Sequence, residues 1–263
     1  KRKSARQTSL IQLGAYITFF PQLIAGPILR YQQLGTQLEK LHTISFKNVR
    51  FLDGMFYISV GLAYKVFFSD VLYTFHEVAR LLPRKSSLDA LYEIMSYSSI
   101  IYFDFWGYSL MAIGLALLFG IEIPRNFREP YRSRSPKEFW RRWHVTLSYW
   151  LKDYVYLSLG GNKKYIRNIL IVFVACGFWH GAGFGFVLWG LLHAGYIVVY
   201  HITSRNWDRA PETLQILLTY SLVSVSWPLF YAGTLQYFEI LKYLFGINGT
   251  VELNVITINQ WLY

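Results

Sequence analysis

Cysteine is nearly missing from this sequence of 263 residues: Cys176 stands alone. One thiol excludes a disulfide framework and any cysteine-built zinc cage, and its apolar neighbours, VACGF, mark it as a buried, inert group. Charge is scarce too, at 16% of residues, with 15 acids against 26 bases. With 54% hydrophobic and 19% aromatic residues, too little charged surface remains to coat a soluble globule, and the composition is that of a membrane protein. Metal-ligand spacing is also lacking. HEVAR at His76 carries Arg80 where a zinc-binding helix needs a second histidine, the other histidines are scattered, and no metal is expected. GYSLM at Gly107 lacks the last glycine of a nucleophile elbow, and neither LGGNKK nor GAGFG has the context of a nucleotide-binding loop. NGT at Asn248 is a glycosylation sequon of low specificity.

What is present is a series of apolar runs: Leu10 to Ile28, Phe51 to Phe68, Tyr97 to Ile121, Ile169 to Tyr200, Leu214 to Phe230, and a shorter one from Tyr237 to Ile247. The first, second, third and fifth approach the ~20 helical residues that cross a hydrocarbon core of ~30 Å, and are expected to span it. The fourth is too long. Its 32 residues would extend about 48 Å at ~1.5 Å per residue, so an interruption is required. GAGFG, Gly181 to Gly185, supplies it, because clustered glycines weaken a helix and permit unusual backbone angles. Broken backbone at membrane depth is tolerated only where protein or a water-filled cavity surrounds it, so a polar pocket is expected beside His180. FPQLIAGPI, with Pro21, Gly26 and Pro27, is expected to bend or re-enter as well. No repeat and no linker divides the chain, which is read as one membrane domain, 1–263. The opening KRKSARQTSL, without initiator methionine or signal peptide, reads as the start of an N-terminally truncated fragment.

The net charge of +11 is local: 11 of the 26 basic residues fall between Arg125 and Arg167. That clustering marks a cytoplasmic loop, segment 124–167, and no nucleic-acid partner is expected. The segment is rich in aromatics as well. Ser135 as N-cap, Pro136 at the first helical position and Glu138 in the first turn start a helix, which places Trp140, Trp143, Leu147, Trp150 and Leu151 on one stripe at the membrane interface.

Four groups carry candidate chemistry. His180 reads as a general base, since a buried neutral imidazole can take the proton of an attacking hydroxyl; the alternative is a packed core histidine. Depth and broken backbone favour the first. His144, in WRRWHVTL, borders the aromatic stripe and either faces the same pocket or packs at the interface. Asp104 is the only Asp, Glu, Lys, Arg or His in the third run and calls for a partner, a histidine or an arginine of the basic segment. Arg141 and Arg142, with their basic neighbours, either draw an anionic substrate group or face anionic lipid headgroups. His193 shares a face with Trp189 and Ile197 and reads as structural.

Three stretches, FPQLIAGPILRY, YFDFWGYSLMAIGLALLFGIEIPRNFREPYRSRSPKEFWRRWHVTLSYWLKDYVYLSLGGN and CGFWHGAGFGFVLWGLLHAG, together resemble the membrane-bound O-acyltransferase (MBOAT) family, in its alginate O-acetylation branch, with D-alanyl transfer proteins as further relatives. The resemblance implies an all-α, multi-pass integral membrane fold with a central tunnel and a broken or re-entrant helix near His180. It implies that His180, in the WHG context, is catalytic and that His144, in RWH, is a second histidine beside the tunnel. Trp179, Arg141, Arg142 and Asp104 are expected to bind substrate. The implied activity moves an acetyl group from a cytoplasmic thioester, acetyl-CoA or another acyl thioester, toward an exported polysaccharide in the inner membrane, with an extracytoplasmic acetyltransferase partner and no tightly bound cofactor. Transfer of D-alanine or another acyl group, or a non-catalytic transport or scaffold role, are the alternatives. Trp106, Leu110 and Tyr231 depart from the family pattern, which has a small polar residue, an acid and an arginine at these places.

Overall fold

The computed structural model describes residues 9–23, 26–41, 49–84 and 86–247, and these contain helices and turns with no strand. Asn248 of the sequon lies outside the described residues. Among the described residues, four helices are long and apolar enough to cross a membrane: Phe51–Leu81, Ser87–Leu118, Phe184–Trp207 and Glu212–Phe230. The fold is all-helical and multi-pass, as the sequence implies.

The first apolar run corrects one expectation. Its described residues form α1 (Leu10–Ile17) and a short 3-10 turn, Phe20–Gln22, before α2 (Tyr31–Leu38) begins. Ser9 and Gln12 close a capping box at the start of α1, but Pro21 and Pro27 lack the amide hydrogens a continuous helix needs. The described part of the run is bent and is not one continuous helix.

The helix from Phe51 to Leu81 consists of α3 (Phe51–Ala63), a π-helical stretch, Tyr64–Asp70, and α4 (Val71–Leu81). Antiparallel to it runs α5 (Ser87–Leu118), whose N-terminus is closed by a Ser86–Asp89 capping box. Their backbones approach closely at Gly61 and Gly107, where a Cβ on either would stand 2.5 or 2.7 Å from the other's carbonyl oxygen. Close approach through small residues is how helices pack when lipid removes the hydrophobic drive. At the Ser87 end of this pair a buried carboxylate ties three elements together. Glu93 is 3% exposed, accepts two hydrogen bonds from the Arg84 guanidinium at 2.7 and 2.9 Å, and one from the Tyr231 hydroxyl at 3.0 Å. Tyr231, which departs from the family pattern, thus has a definite partner.

The basic segment also corrects its expectation. Instead of one helix there are two, α6 (Pro136–Arg142) and α7 (Val145–Leu151). Ser135, Pro136 and Glu138 start α6 as the sequence indicates. Trp143 then turns extended, and His144 takes a positive φ of 41°. The break arises from long-range hydrogen bonds: the Val145 amide donates to the Asn126 carbonyl and the Arg128 amide to the Arg142 carbonyl.

The long fourth run breaks where the glycines stand. α8 (Tyr165–His180) ends at Gly181 and α9 (Phe184–Trp207) starts after Gly183. At ~1.5 Å per residue, the 16 residues of α8 reach about 24 Å. The returning α9 packs directly on α8, and a Cβ at Gly190 would stand 2.2 Å from the Phe173 carbonyl oxygen. The chain then forms α10 (Glu212–Ser226), a 3-10 turn, Trp227–Phe230, and α11 (Gly233–Leu244). Between α6, α8, α9 and the turn lies an aromatic core that includes Phe139, Trp143, Phe173, Trp189 and Trp227.

Candidate active site

The end of α8 and the break between α6 and α7 bring two histidines to one cavity of about 550 Å³, lined by His144, His180, Trp179, Trp189, Phe230 and Asp104 among others. His180 is positioned by rings alone. Trp179, Trp189 and Phe230 meet it edge-on with centroids at 4.8, 5.2 and 5.0 Å. Its imidazole makes no hydrogen bond to a described residue. A free imidazole in an aromatic cavity is available to a substrate proton.

His144 is held differently. It is 3% exposed, with Phe105 edge-on at 4.7 Å and Trp179 at 6.0 Å. Its Nδ1 lies 3.3 Å from Asn126 Oδ1, which also accepts the Thr146 hydroxyl at 2.6 Å. Burial, and secondarily His180 nearby, lowers its pKa to about 3, so the ring is neutral at physiological pH.

Asp104 does face the cavity, but its partner is neither a histidine nor an arginine of the basic segment. Lys65 pairs with it at 2.7 Å and with Asp70 at 2.7 Å. The π-helical stretch that carries Lys65 opens the helix at this point, a distortion common at functional sites. Lys65→Met is expected to lower the yield and thermal stability of the full-length protein by stranding Asp104, and the double variant Lys65→Met/Asp104→Leu to recover much of the loss. Additive losses in that double-mutant cycle would show that the pair does not act as a unit.

Arg141 and Arg142 part ways. Arg141 lines a second cavity, of about 690 Å³, with Arg128, Lys137 and Lys152. Arg142 instead pairs with Glu138 at 2.6 Å and lines neither cavity. The second cavity has a cationic rim and an apolar floor of Trp140, Val172, Phe173 and Cys176. α7 stands between the two cavities: His144, Leu147 and Trp150 face the first, and Val145, Ser148 and Lys152 face the second. His193 is a core residue, as its sequence position suggests. It is fully buried, accepts from Trp140 Nε1 at 3.2 Å and bonds the Ser226 hydroxyl at 2.8 Å.

Sequence reasoning missed Asn126, Thr146 and Lys65. Asn126 reads as a loop residue in PRNF, and its one usable signal is an uncharged amide within a strongly basic stretch. Thr146 carries no signal apart from its place two residues beyond His144.

Comparison with known proteins follows the same outline. Residues 1–234 match the family model described as MBOAT, the membrane-bound O-acyltransferase family. Among curated proteins, the chain is 39% identical over 251 residues to a peptidoglycan O-acetyltransferase of Helicobacter pylori, covering 91% of this chain and 47% of that protein. It is 39% identical over 236 residues to the probable alginate O-acetylase AlgI of Pseudomonas aeruginosa, covering 87% of this chain and 44% of that one. A teichoic acid D-alanyltransferase of Bacillus subtilis is 30% identical over 244 residues, with 85% and 62% covered. The chain thus spans about half the length of the O-acetyltransferase relatives it matches.

Proposed function

Because the chain belongs to the membrane-bound O-acyltransferase family, we propose that it forms the histidine-bearing half of a membrane enzyme that moves acetyl groups from a thioester donor to an exported polysaccharide. The observation that carries this reading is the pairing of a histidine-lined cavity with a cation-rimmed one across a single short helix. Arg128, Lys137, Arg141 and Lys152 seat the phosphates of acetyl-CoA or another phosphorylated acyl thioester from the cytoplasmic side. The apolar floor takes the arm that carries the acyl group. The donor is a consumed substrate, and the reaction needs no tightly bound cofactor.

His180 removes the proton of the acceptor hydroxyl as its oxygen attacks the thioester carbonyl. The tetrahedral adduct collapses, the C–S bond breaks, and the departing thiolate takes the proton back from the imidazolium. Trp179, Trp189 and Phe230 keep bulk water away, which limits thioester hydrolysis. Asp104, held by Lys65, lines the cavity as an acceptor-side polar group. In this reading the protein lies in the inner membrane with segment 124–167 cytoplasmic, and an extracytoplasmic acetyltransferase completes delivery to the polysaccharide. The D-alanyltransferase relatives make D-alanine the alternative acyl group.

The test is acyl transfer by the full-length protein in inverted membrane vesicles supplied with labelled acetyl-CoA. Arg141→Ala/Lys152→Ala is expected to raise the KM for acetyl-CoA about tenfold, ~1.4 kcal/mol, with kcat within about twofold of wild type. An unchanged KM would remove the donor from the cationic cavity. Labelled D-alanine supplied as a carrier thioester, transferred where acetyl is not, would establish the other acyl group.

A further inference from the structure

We infer that Thr146 and Asn126 are positioning residues that fix His144 in the tautomer with its proton on Nδ1, so that Nε2 meets substrate as a hydrogen-bond acceptor. The chain of bonds starts at a group that can only donate, the backbone amide of Ile28, which donates to Thr146 Oγ1 at 2.9 Å. With that lone pair engaged, the threonine hydrogen points onward to Asn126, 2.6 Å away. This distance suits O–H···O and is short for N–H···O, so the asparagine presents its oxygen here. Its Nδ2 donates the other way, to Ser109 Oγ at 3.1 Å. Amide orientation is thereby set by the network around it.

Asn126 Oδ1 carries no hydrogen, and His144 Nδ1 stands 3.3 Å from it. The bond exists only if Nδ1 holds the proton, and in a neutral ring Nε2 then holds the lone pair. The arrangement is rigid. Asn126, Ser109 and Thr146 are all buried, and the Val145 amide is tied to the Asn126 carbonyl at 2.9 Å. His144 itself has φ +41°, a conformation that costs a residue with a side chain ~1–3 kcal/mol and persists only when its surroundings impose it. Asn126 therefore does both jobs: its carbonyl helps bend the chain at His144 and its side chain sets the polarity of the ring.

The functional consequence rests on the acyl-transfer reading. An attacking hydroxyl has one hydrogen, and His180 takes it. His144 Nε2 must then accept from a different substrate donor, a neighbouring O–H of a polyhydroxylated acceptor or an amide N–H of the thioester arm. His180 and Asp104 are the titratable groups sharing its cavity, and Lys65 is paired to Asp104.

Two measurements test the inference. In full-length protein labelled with ¹⁵N-histidine and reconstituted in bilayers, solid-state NMR is expected to show His144, identified by its loss in His144→Gln, with a protonated Nδ1 and a bare Nε2. Thr146→Val should mix the two tautomers, and Thr146→Ser should keep the wild-type form. A proton on Nε2 in the wild type overturns the inference. With acetyl-CoA as donor, Asn126→Asp should move the acid limb of kcat/KM upward by at least about one pH unit, because a carboxylate favours the imidazolium, which has no lone pair to offer. A uniform fall with an unmoved limb overturns the positioning role. The NMR result needs no turnover, so a wild-type protein inactive on acetyl-CoA would count against the acyl-transfer reading and leave the tautomer assignment to be judged by the spectrum.

Discussion

Full-length protein carrying His180→Ala is expected to lose at least a hundredfold in acetyl transfer while its level in the membrane matches wild type. General bases contribute roughly 10²–10⁴ in rate, and among the described residues no other free imidazole lines the cavity: His144 is bonded to Asn126, and His193 lies bonded in the core. Folding should survive. The His180 side chain makes ring contacts only, and α8 is terminated by the backbone bond from the Gly181 amide to the Gly177 carbonyl, which alanine leaves intact. The measurement is O-acetyl ester on the polymer in cells, normalised to protein in the membrane. Transfer within threefold of wild type would take His180 out of the chemistry and move the weight to a scaffold role.

Gly190→Ala is expected to do the opposite, removing folded protein rather than chemistry. A single methyl there would sit 2.2 Å from the Phe173 carbonyl oxygen. Backbone cannot yield as a flexible side chain does, so α8 and α9 must separate, and overpacking of this kind costs on the order of 1–3 kcal/mol or more. Their separation also moves Trp189, one residue away, off the face of His180. Gly195 is the internal control, because a Cβ there meets nothing within 4 Å. Thermal unfolding of the detergent-solubilised full-length protein should show a clear loss for Gly190→Ala and little change for Gly195→Ala. Equal behaviour of the two would mean that the helix contact carries no such constraint.

Much of this layout can be read from the chain because it is written in local signals. The break after His180 follows from a run too long for one bilayer and from glycines clustered inside it. The start of α6 follows from Ser135, Pro136 and Glu138. Other features depend on partners distant in sequence. Nothing local forces His144 into a left-handed turn; the bonds from residues 126 and 128 do. The helix periodicity across Trp140 to Leu151 is genuine, yet tertiary hydrogen bonding overrides it at one residue. Asp104 announces that it needs a partner without indicating which, because Lys65 lies on the neighbouring helix and not close by in sequence. Tyr231 shows the same limit: its bond to Glu93 joins residues 138 apart. The candidate histidines are thus legible, while the groups that orient them are not.

The seven residues of α7 also set a rule for length variation. Successive side chains on a helix are ~100° apart, and α7 divides its own between two compartments, Leu147 and Trp150 lining one and Val145, Ser148, Tyr149 and Leu151 the other. Inserting or deleting one residue would rotate every later side chain by about 100°, taking Trp150 and Lys152 away from the cavities they now line without altering a single amino-acid type. Point substitutions along this helix have a graded cost, whereas a change of reading register has none to grade. The loop that ends at Gly160, by contrast, is a place where extra length can be absorbed.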